Sequence, residues 1–289
     1  MNNSPSIDFM GLNLSSLNYE KYLDENPIYE FFGDSRSKNP SEKIVFESYL
    51  SVNPENDVPF VAEYDDLIRL HHITRIRKAT TIMEFGLGKS TVVLADALLK
   101  NKSELNSKIK NSLRRSNPFE CHSIENSAIW IERCKKLIPK KFFEQGTSHI
   151  HNASLKMGTF SNRICTYYDP LPDISPDLIY LDGPDQFSSE GDVKGMSTRH
   201  PDRMPMAADI LSFEHFLTPG TLIIVDGRTA NARFLKSNFQ RNWNYFYAKD
   251  FDQHFFELLE EPLGVFNQRQ IDICLGKSYY ERLKKFTTE

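Results

Sequence analysis

The sequence predicts a doubly wound α/β fold, in which a mostly parallel sheet carries helices on both faces. Short apolar runs recur along the chain with helical patterns between them, which is typical of strands buried on both sides of a parallel sheet. Three further runs near the C-terminus have no intervening helices long enough for crossovers. We therefore expect these three runs to form an antiparallel edge of the same sheet.

Five apolar runs are predicted as the parallel strands, at residues 80–85, 119–124, 147–150, 177–181 and 221–225. Helices are predicted after the first two strands, at residues 91–99 and 127–137. The antiparallel edge is predicted from residues 243–248, 254–259 and 270–275. Residues 100–117 are rich in Lys and Arg with Glu104 as the single acid, which predicts a solvated, mobile loop or, alternatively, a surface for an anionic partner.

Residues 1–75 are polar, irregular and rich in turn formers, with scattered aromatic side chains. This composition predicts a partly helical N-terminal extension that contributes a lid, substrate contacts or oligomer contacts, followed by the main domain at residues 76–289. Short amphipathic helices are predicted at residues 42–50 and 64–72.

Composition excludes several classes of protein. The chain of 289 residues has 35 Lys and Arg against 39 Asp and Glu, a net charge of -4, with 39% hydrophobic residues. These values exclude collagen-like, coiled-coil and disordered chains, and they disfavour nucleic acid as the main partner because phosphate binding needs a basic surface. No apolar run approaches a membrane span, and the N-terminus does not resemble a signal peptide, so we predict a cytoplasmic protein without a membrane partner.

The cysteines do not predict a disulfide scaffold or a zinc knuckle. They are Cys121, Cys134, Cys165 and Cys274, far apart and without a C-x-x-C pair. We expect reduced, mostly buried thiols.

The strongest local signal is a glycine turn between the first strand and the first helix. Residues 84–91 read Glu-Phe-Gly-Leu-Gly-Lys-Ser-Thr. Glycines here allow unusual backbone angles and close approach of a ligand, and the following helix offers free N–H groups. A Walker A loop would need glycine where Met83 stands, and a dinucleotide fingerprint would need glycine at Thr91. The first alternative fails and the second is weakened.

The pattern Glu84-x-Gly86-x-Gly88 resembles motif I of the class I S-adenosylmethionine-dependent methyltransferases. Companion motifs follow in order at the ends of the next strands: His-Ser-Ile-Glu at 122–125, Asn-Ala-Ser at 152–154, Leu-Asp-Gly-Pro at 181–184, and the Pro-Gly and strand segment at 217–226. The resemblance covers residues 80–277. It implies a seven-stranded sheet and a cofactor held at the carboxyl ends of its strands.

The resemblance implies the following cofactor contacts: Glu84, Phe85, Gly86, Gly88, Ser90, Thr91, Glu125, Asn126, Asn152, Ala153 and Asp182. Glu125 would hold the ribose hydroxyls, since a carboxylate accepts two hydrogen bonds from a vicinal diol. Asn152 and Ala153 would lie at the adenine edge. Trp130 is predicted to pack in the core, and His149 with His151 share one strand face without a nearby third metal ligand.

Asp182 and Asp226 follow the fourth and fifth strands, where open α/β sheets bind ligands. They match positions that hold a divalent metal in catechol-type O-methyltransferases, but Gly227 replaces the asparagine of that pattern. Their oxygen atoms suit Mg²⁺. Without a metal, Asp182 or Asp226 would act as a general base or anchor the substrate.

The long polar segment 183–204 follows the fourth strand and is predicted as a lid that contacts the substrate. His200 within it is a candidate general base, because histidine titrates near neutrality. Arg199, Arg203 and Arg228 are predicted to bind anionic groups of the substrate.

These patterns predict a methyltransferase that uses S-adenosylmethionine to methylate an oxygen of a small molecule or a sugar, with a homo-oligomer as one possible state. Two alternatives remain open. One is a non-catalytic methyltransferase-fold protein that binds a partner, and the other is a nicotinamide-dependent oxidoreductase.

Overall fold

The computed structural model describes residues 10–33 and 63–288. Its main sheet has seven strands in the order β3-β2-β1-β6-β7-β9-β8. The strands are β1 (Thr81–Phe85), β2 (Glu120–Glu125), β3 (Ser148–Asn152), β6 (Leu178–Leu181), β7 (Leu222–Asp226), β8 (Trp243–Ala248) and β9 (Gln253–Leu258). A separate antiparallel hairpin consists of β4 (Ser154–Phe160) and β5 (Arg163–Asp169).

The direction of the strands confirms the predicted fold class. Strands β3, β2, β1, β6 and β7 pair in parallel, whereas β9 runs antiparallel between β7 and β8. The chain leaves β1 toward β2 and β3, then returns to the other side of β1 with β6 and β7. The gap between the carboxyl ends of β1 and β6 is therefore the switch point where doubly wound sheets bind ligands.

The helices cover both faces of this sheet. They are α1 (Tyr19–Glu25), α2 (Tyr64–Ile76), α3 (Lys89–Ser112), α4 (Ala128–Leu137), α5 (Lys140–Glu144), α6 (Asp209–Phe213), α7 (Thr229–Asn238), α8 (Gly264–Cys274) and α9 (Lys277–Thr288). Apolar side chains of α2 and α3 share one core with strand residues such as Ile82 and Ile224. Side chains of α6, α7 and the hairpin share a second core with the alternate strand residues, among them Phe85 and Val225.

The N-terminal residues that the structure describes are part of the first core. Met10, Leu12 and Leu14 are at most 3% exposed and pack with α2. The predicted helix at 64–72 lies within α2, whereas the one predicted at 42–50 lies outside the described residues. The domain boundary at 75/76 and the role assigned to residues 1–75 stay predictions.

Two predictions of local structure were wrong. Most of residues 100–117 are helical rather than a loop, because α3 continues to Ser112 and buries Ile109 against Phe119 and Cys274. Residues 270–275 are not a strand but the end of α8, where Asn267, Ile271 and Cys274 are buried at helical spacing. In both cases the period of the buried positions is close to four rather than two.

The hairpin β4–β5 was not predicted. Its two-residue turn consists of Ser161 and Asn162, both with positive φ, which is the turn that joins tightly twisted strands. All four cysteines are buried and free, as predicted.

Candidate active site

Two glycines on neighbouring strands fix the turn after β1. Gly86 has a φ of +108°, and a Cβ at this position would lie 3.2 Å from the Gly183 nitrogen. A Cβ on Gly183 would lie 2.7 Å from the Gly86 nitrogen. The Gly183 N–H also donates to the Phe85 carbonyl at 2.6 Å. The backbone after β1 is therefore packed directly against the backbone after β6, at the switch point of the sheet.

Glu84 holds the first turn of α3 against the sheet. Its side chain is fully buried. Oε1 accepts a hydrogen bond from the Ser90 hydroxyl at 2.5 Å, and Oε2 accepts from the Thr91 hydroxyl at 2.7 Å and from the Ser123 hydroxyl. Burial raises the pKa of Glu84 to about 7, although the three hydroxyls act to lower it. The hydroxyls of Ser90 and Thr91 thus both bind the Glu84 carboxylate.

The turn is open beside Gly88, which directly precedes α3. Apart from its chain neighbours, no described atom lies within 4 Å of a Cβ built on Gly88. The backbone there is extended, with a φ of -178°. From the other side the indole N–H of Trp130 donates to the Leu87 carbonyl at 2.6 Å. Trp130 therefore supports the turn at Leu87, and the turn leaves open space at Gly88.

Glu125 ends β2 with one carboxylate oxygen engaged. Oε1 accepts from the N–H groups of Asn126 at 2.8 Å and Ser127 at 2.9 Å. Among the described residues, none donates a hydrogen bond to Oε2. Burial raises the pKa of Glu125 despite these two N–H groups. The N–H of Ala153 donates to the Glu125 carbonyl at 3.0 Å, and Asn152 pairs with Glu125 in the sheet, so the predicted ribose and adenine residues are adjacent.

Tyr168 of β5 belongs to the same region and was missed by the sequence reasoning. Its ring stacks on Phe85 with 6.0 Å between centroids. Its hydroxyl is buried and has no hydrogen-bond partner among the described residues. Burial raises its pKa strongly, and the charges of Glu125, Asp209 and Arg228 also act on it. The Ser-Asn turn of the hairpin is the sequence signal that could have revealed this strand.

Asp182 and Asp226 end the neighbouring strands β6 and β7. The Asp182 side chain is 53% exposed. Desolvation and then the charge of Asp226 raise the pKa of Asp182 to about 7, while Arg228 acts to lower it. Asp226 accepts a hydrogen bond from the Tyr180 hydroxyl at 2.6 Å, and burial raises its pKa. Glu63, at the start of α2, raises the pKa of both acids.

Arg228 binds the loop after β6. One terminal nitrogen donates to the Pro184 carbonyl at 2.8 Å and the other donates to the Asp182 carbonyl. Its Nε lies 3.8 Å from Asp182 Oδ1 and, among the described residues, has no hydrogen-bond partner. The guanidinium therefore positions the backbone next to Asp182 and Pro184.

The other predicted substrate residues lie in the loop between β6 and α6. Arg199 donates to the Ser189 carbonyl and pairs with Asp192 at 3.0 Å. Arg203 donates to the Ser197 carbonyl at 2.5 Å. The His200 ring is 46% exposed, and its Nδ1 accepts from the Asp202 N–H at 3.1 Å. The two arginines thus have partners within this loop.

The same loop is attached to both edges of the hairpin. The Glu190 N–H donates to the Leu155 carbonyl at 2.7 Å and the Met157 N–H donates to the Glu190 carbonyl at 2.8 Å, on β4. On β5, Thr166 exchanges backbone hydrogen bonds with Met206 at 2.8 Å and Ala208 at 3.0 Å. Backbone pairing therefore holds the predicted lid at Glu190, and it holds the chain just after the lid at Met206 and Ala208.

Comparisons with known proteins were made at three levels. No family model matches the chain, and no curated protein matches it. Among solved structures, the chain is similar to an S-adenosylhomocysteine-bound methyltransferase from Podospora anserina, with 11% identity, a TM-score of 0.48, and coverage of 90% of this chain and 100% of that chain. It is also similar to an O-methyltransferase from Bacillus cereus in complex with S-adenosylhomocysteine, with 14% identity, a TM-score of 0.40, and coverage of 84% and 100%.

A third structure, the O-methyltransferase TomG from Streptomyces achromogenes in complex with S-adenosylmethionine, has 15% identity and a TM-score of 0.39, with coverage of 84% of this chain and 98% of that chain. Because these TM-scores are below 0.5, the fold assignment rests on strand order and direction. The sheet is the one implied by the class I methyltransferase resemblance. In the described part of the chain, no helix is both long and apolar enough to cross a membrane.

Proposed function

We propose that the protein is an S-adenosylmethionine-dependent methyltransferase that methylates a hydroxyl oxygen of a small molecule or saccharide. The observation that carries this proposal is the open surface at Gly88, in the turn after β1 at the switch point of a doubly wound sheet, with Glu125 at the end of the adjacent strand β2. An acidic side chain with an unengaged oxygen at the end of β2 suits a ribose diol. The unpartnered hydroxyl of Tyr168 near Glu125 and Arg228 adds a polar group that a bound ligand could satisfy.

The residues present fit this cofactor. Gly88 leaves room along the backbone, Glu125 and Asn126 lie at the end of β2, and Asn152 with Ala153 lie next to them. Glu84 positions the turn through the hydroxyls of Ser90, Thr91 and Ser123 rather than through an exposed carboxylate. When bound, S-adenosylmethionine supplies an electrophilic methyl group.

Asp182 is the group best suited to accept the proton of the acceptor hydroxyl. It is half exposed and its pKa is raised to about 7, near the value at which a general base works well in neutral solution. Asp226 already accepts a hydrogen bond from Tyr180, and the His200 ring accepts an N–H from its own loop. We assign the base to Asp182 and a supporting role to Asp226.

The charges around Asp182 favour a neutral polar acceptor. Glu63, Asp182 and Asp226 influence one another electrostatically, whereas Arg199, Arg203 and Arg228 donate to protein carbonyls. The three carboxylates outnumber the Arg228 guanidinium next to Asp182, so an anionic group is disfavoured there. A hydroxylated acceptor without phosphate or carboxylate fits these charges best.

We assign Mg²⁺ no part in the proposed reaction. Asp182 and Asp226 supply oxygen atoms that suit this ion. Gly227 offers no side chain, and in the described ranges the cluster of three candidate ligands within 4.8 Å of one another lies elsewhere, in β2 and β3. Titrating Mg²⁺ with the wild-type protein and with Asp182→Asn, read as a thermal shift, tests the predicted ion separately.

Calorimetric titration of the whole chain with S-adenosylmethionine and S-adenosylhomocysteine tests the function. We expect saturable binding of both compounds. When neutral hydroxylated compounds are added with S-adenosylmethionine, we expect a methylated acceptor and S-adenosylhomocysteine to form. Asp182→Asn should keep cofactor affinity and lower kcat by about 10²–10⁴-fold. Absence of binding at high micromolar cofactor would remove the proposal. Binding without methyl transfer to any acceptor would favour the non-catalytic alternative.

A further inference from the structure

A second cluster of chemically competent side chains lies away from the carboxyl ends of the strands, on strands β2 and β3. Glu120 and His122 alternate along β2, and His149 and His151 alternate along β3. The parallel register pairs His122 with His149 and Ile124 with His151. Side chains two residues apart share a face, so the three imidazoles and the carboxylate lie on one side of these neighbouring strands.

The four groups are in direct contact. His122 Nε2 lies 2.9 Å from Glu120 Oε2, and His122 Nδ1 lies 2.9 Å from His151 Nε2. His149 Nε2 lies 3.7 Å from the same Glu120 oxygen and 3.1 Å from the Gly146 carbonyl oxygen. The ring of His122 stacks on His149 with 4.7 Å between centroids and on His151 with 5.1 Å.

We propose that Glu120, His122 and His149 bind a Zn²⁺ ion, with His151 as the group that orients His122. One atom from each of the three ligands lies within 4.8 Å of the other two. With metal–ligand bonds of about 2.0–2.1 Å, tetrahedral coordination needs ligand atoms about 3.3 Å apart. The distances of 2.9 Å and 3.7 Å from Glu120 Oε2 to the two imidazole nitrogens lie on either side of this value. The rings of His122 and His149, stacked with 13° between their planes, must rotate out of this stack before both nitrogens point at one ion.

The chemistry of the ligands selects the metal. Two imidazoles and one carboxylate suit Zn²⁺ rather than Mg²⁺, which prefers oxygen ligands only. The imidazoles stay neutral on binding, because the proton on each Nε2 moves to Nδ1. His122 Nδ1–H then donates to His151 Nε2, the kind of hydrogen bond that fixes the orientation of a metal-binding histidine. A water molecule would complete the tetrahedron.

The place of the cluster in the fold suggests what the ion does. β3 is an edge strand, paired only with β2 among the described strands of the main sheet. His149 is 39% exposed and Glu120 is 23% exposed, so an ion can enter from solvent. A bound Zn²⁺ would connect the edge strand to β2 and stabilise the folded protein by an amount that rises with the logarithm of the ratio of free Zn²⁺ to its dissociation constant.

The test uses the full chain after treatment with a chelator and titration with Zn²⁺ against a competing indicator. We expect one equivalent of Zn²⁺ per chain and a rise of at least about 5 °C in the midpoint of thermal unfolding at 100-fold excess over the dissociation constant. His149→Ala and Glu120→Gln should each lower the affinity by more than about 100-fold. His151→Ala should lower it by about 10–100-fold, as expected for an orienting group.

His215→Ala is the matched control, because His215 is exposed and lies outside the cluster. It should leave the affinity for Zn²⁺ unchanged. Because His149 is half-exposed, the His149→Ala variant should, in the absence of metal, have the same midpoint of thermal unfolding as the wild type. Its cofactor affinity provides a second check that it is folded. The proposal is overturned if the wild-type protein is not stabilised by Zn²⁺, if Mg²⁺ produces the same shift, or if the folded His149→Ala and Glu120→Gln variants bind Zn²⁺ as the wild type does.

Discussion

Gly88→Val separates cofactor binding from folding more cleanly than any other change in the glycine turn. A Cβ at Gly88 meets no described atom within 4 Å, apart from its chain neighbours, and the extended φ of -178° is open to any residue. The valine methyl groups would therefore enter the open surface beside the turn without disturbing its packing. If the cofactor lies against this surface, the same methyl groups occupy its space.

The effect on stability should be small because two terms oppose each other. Valine is a poorer residue than glycine before the first turn of a helix, which costs about 0.5–1 kcal/mol. Replacing glycine also restricts the unfolded chain, which stabilises the folded protein by about 0.4–1 kcal/mol. The free energy of unfolding should therefore change by less than about 1 kcal/mol, which corresponds to about 3 °C or less in Tm.

The effect on cofactor affinity should be larger. Overpacking a filled site by a few methyl groups costs about 1–3 kcal/mol. A central value of about 2 kcal/mol corresponds to an affinity about 30-fold weaker. Calorimetric titration with S-adenosylhomocysteine measures this loss, and Gly88→Ala should give an intermediate value.

Gly86→Val provides the contrast. At a φ of +108°, with a Cβ 3.2 Å from the Gly183 nitrogen, valine should cost about 1–3 kcal/mol of folding free energy as well as affinity. A folded Gly88→Val protein that binds S-adenosylhomocysteine as tightly as the wild type would refute the reasoning, because the turn would then not line the cofactor site.

Three further predictions concern charged side chains of the site. Glu125→Gln should weaken cofactor binding by about 10–100-fold in calorimetry, since hydrogen bonds to a charged group contribute about 1.5–3 kcal/mol; unchanged affinity would place the ribose elsewhere. Burial raises the pKa of Glu84 from 4.5 to about 7, so the folded state binds more protons than the unfolded state in this range. Stability should fall by about 3 kcal/mol as pH rises from 4.5 to above 7, relative to Glu84→Gln in denaturant titrations, and parallel curves would contradict this assignment. Arg228→Met removes the donors to the Asp182 and Pro184 carbonyls, so limited proteolysis should cleave the loop after β6 faster than in the wild type, while equal cleavage rates would show that the loop does not depend on this residue.

Much of the site followed from local sequence signals. Glu84, Gly86 and Gly88 form a turn between a strand and a helix, and Glu125, Asp182 and Asp226 end parallel strands, as predicted. The carboxyl ends of parallel strands meet at one edge of the sheet, so this alone placed the acids near one another. The assigned roles of these residues stay predictions.

Other features depended on contacts that the sequence did not specify. The arginines at 199, 203 and 228 donate to carbonyls of nearby loops, because the fold brings those carbonyls within reach. Their binding of substrate stays a prediction. The position of His122 next to His149 and His151 was likewise not predicted from the sequence. His122 is 27 residues before His149, and only the register of β2 with β3 brings their rings together.

The sequence by itself determined the order of the five parallel strands, the position of the glycine turn and the acids at the strand ends, because periodicity and turn chemistry act between residues close in the chain. The tertiary structure alone decided the close approach of Gly86 to Gly183, the partners of the arginines, the place of Tyr168 and the histidine cluster. These features arise where strands and loops distant in sequence pack together, and their geometry is set by pairing and side-chain packing rather than by local propensity.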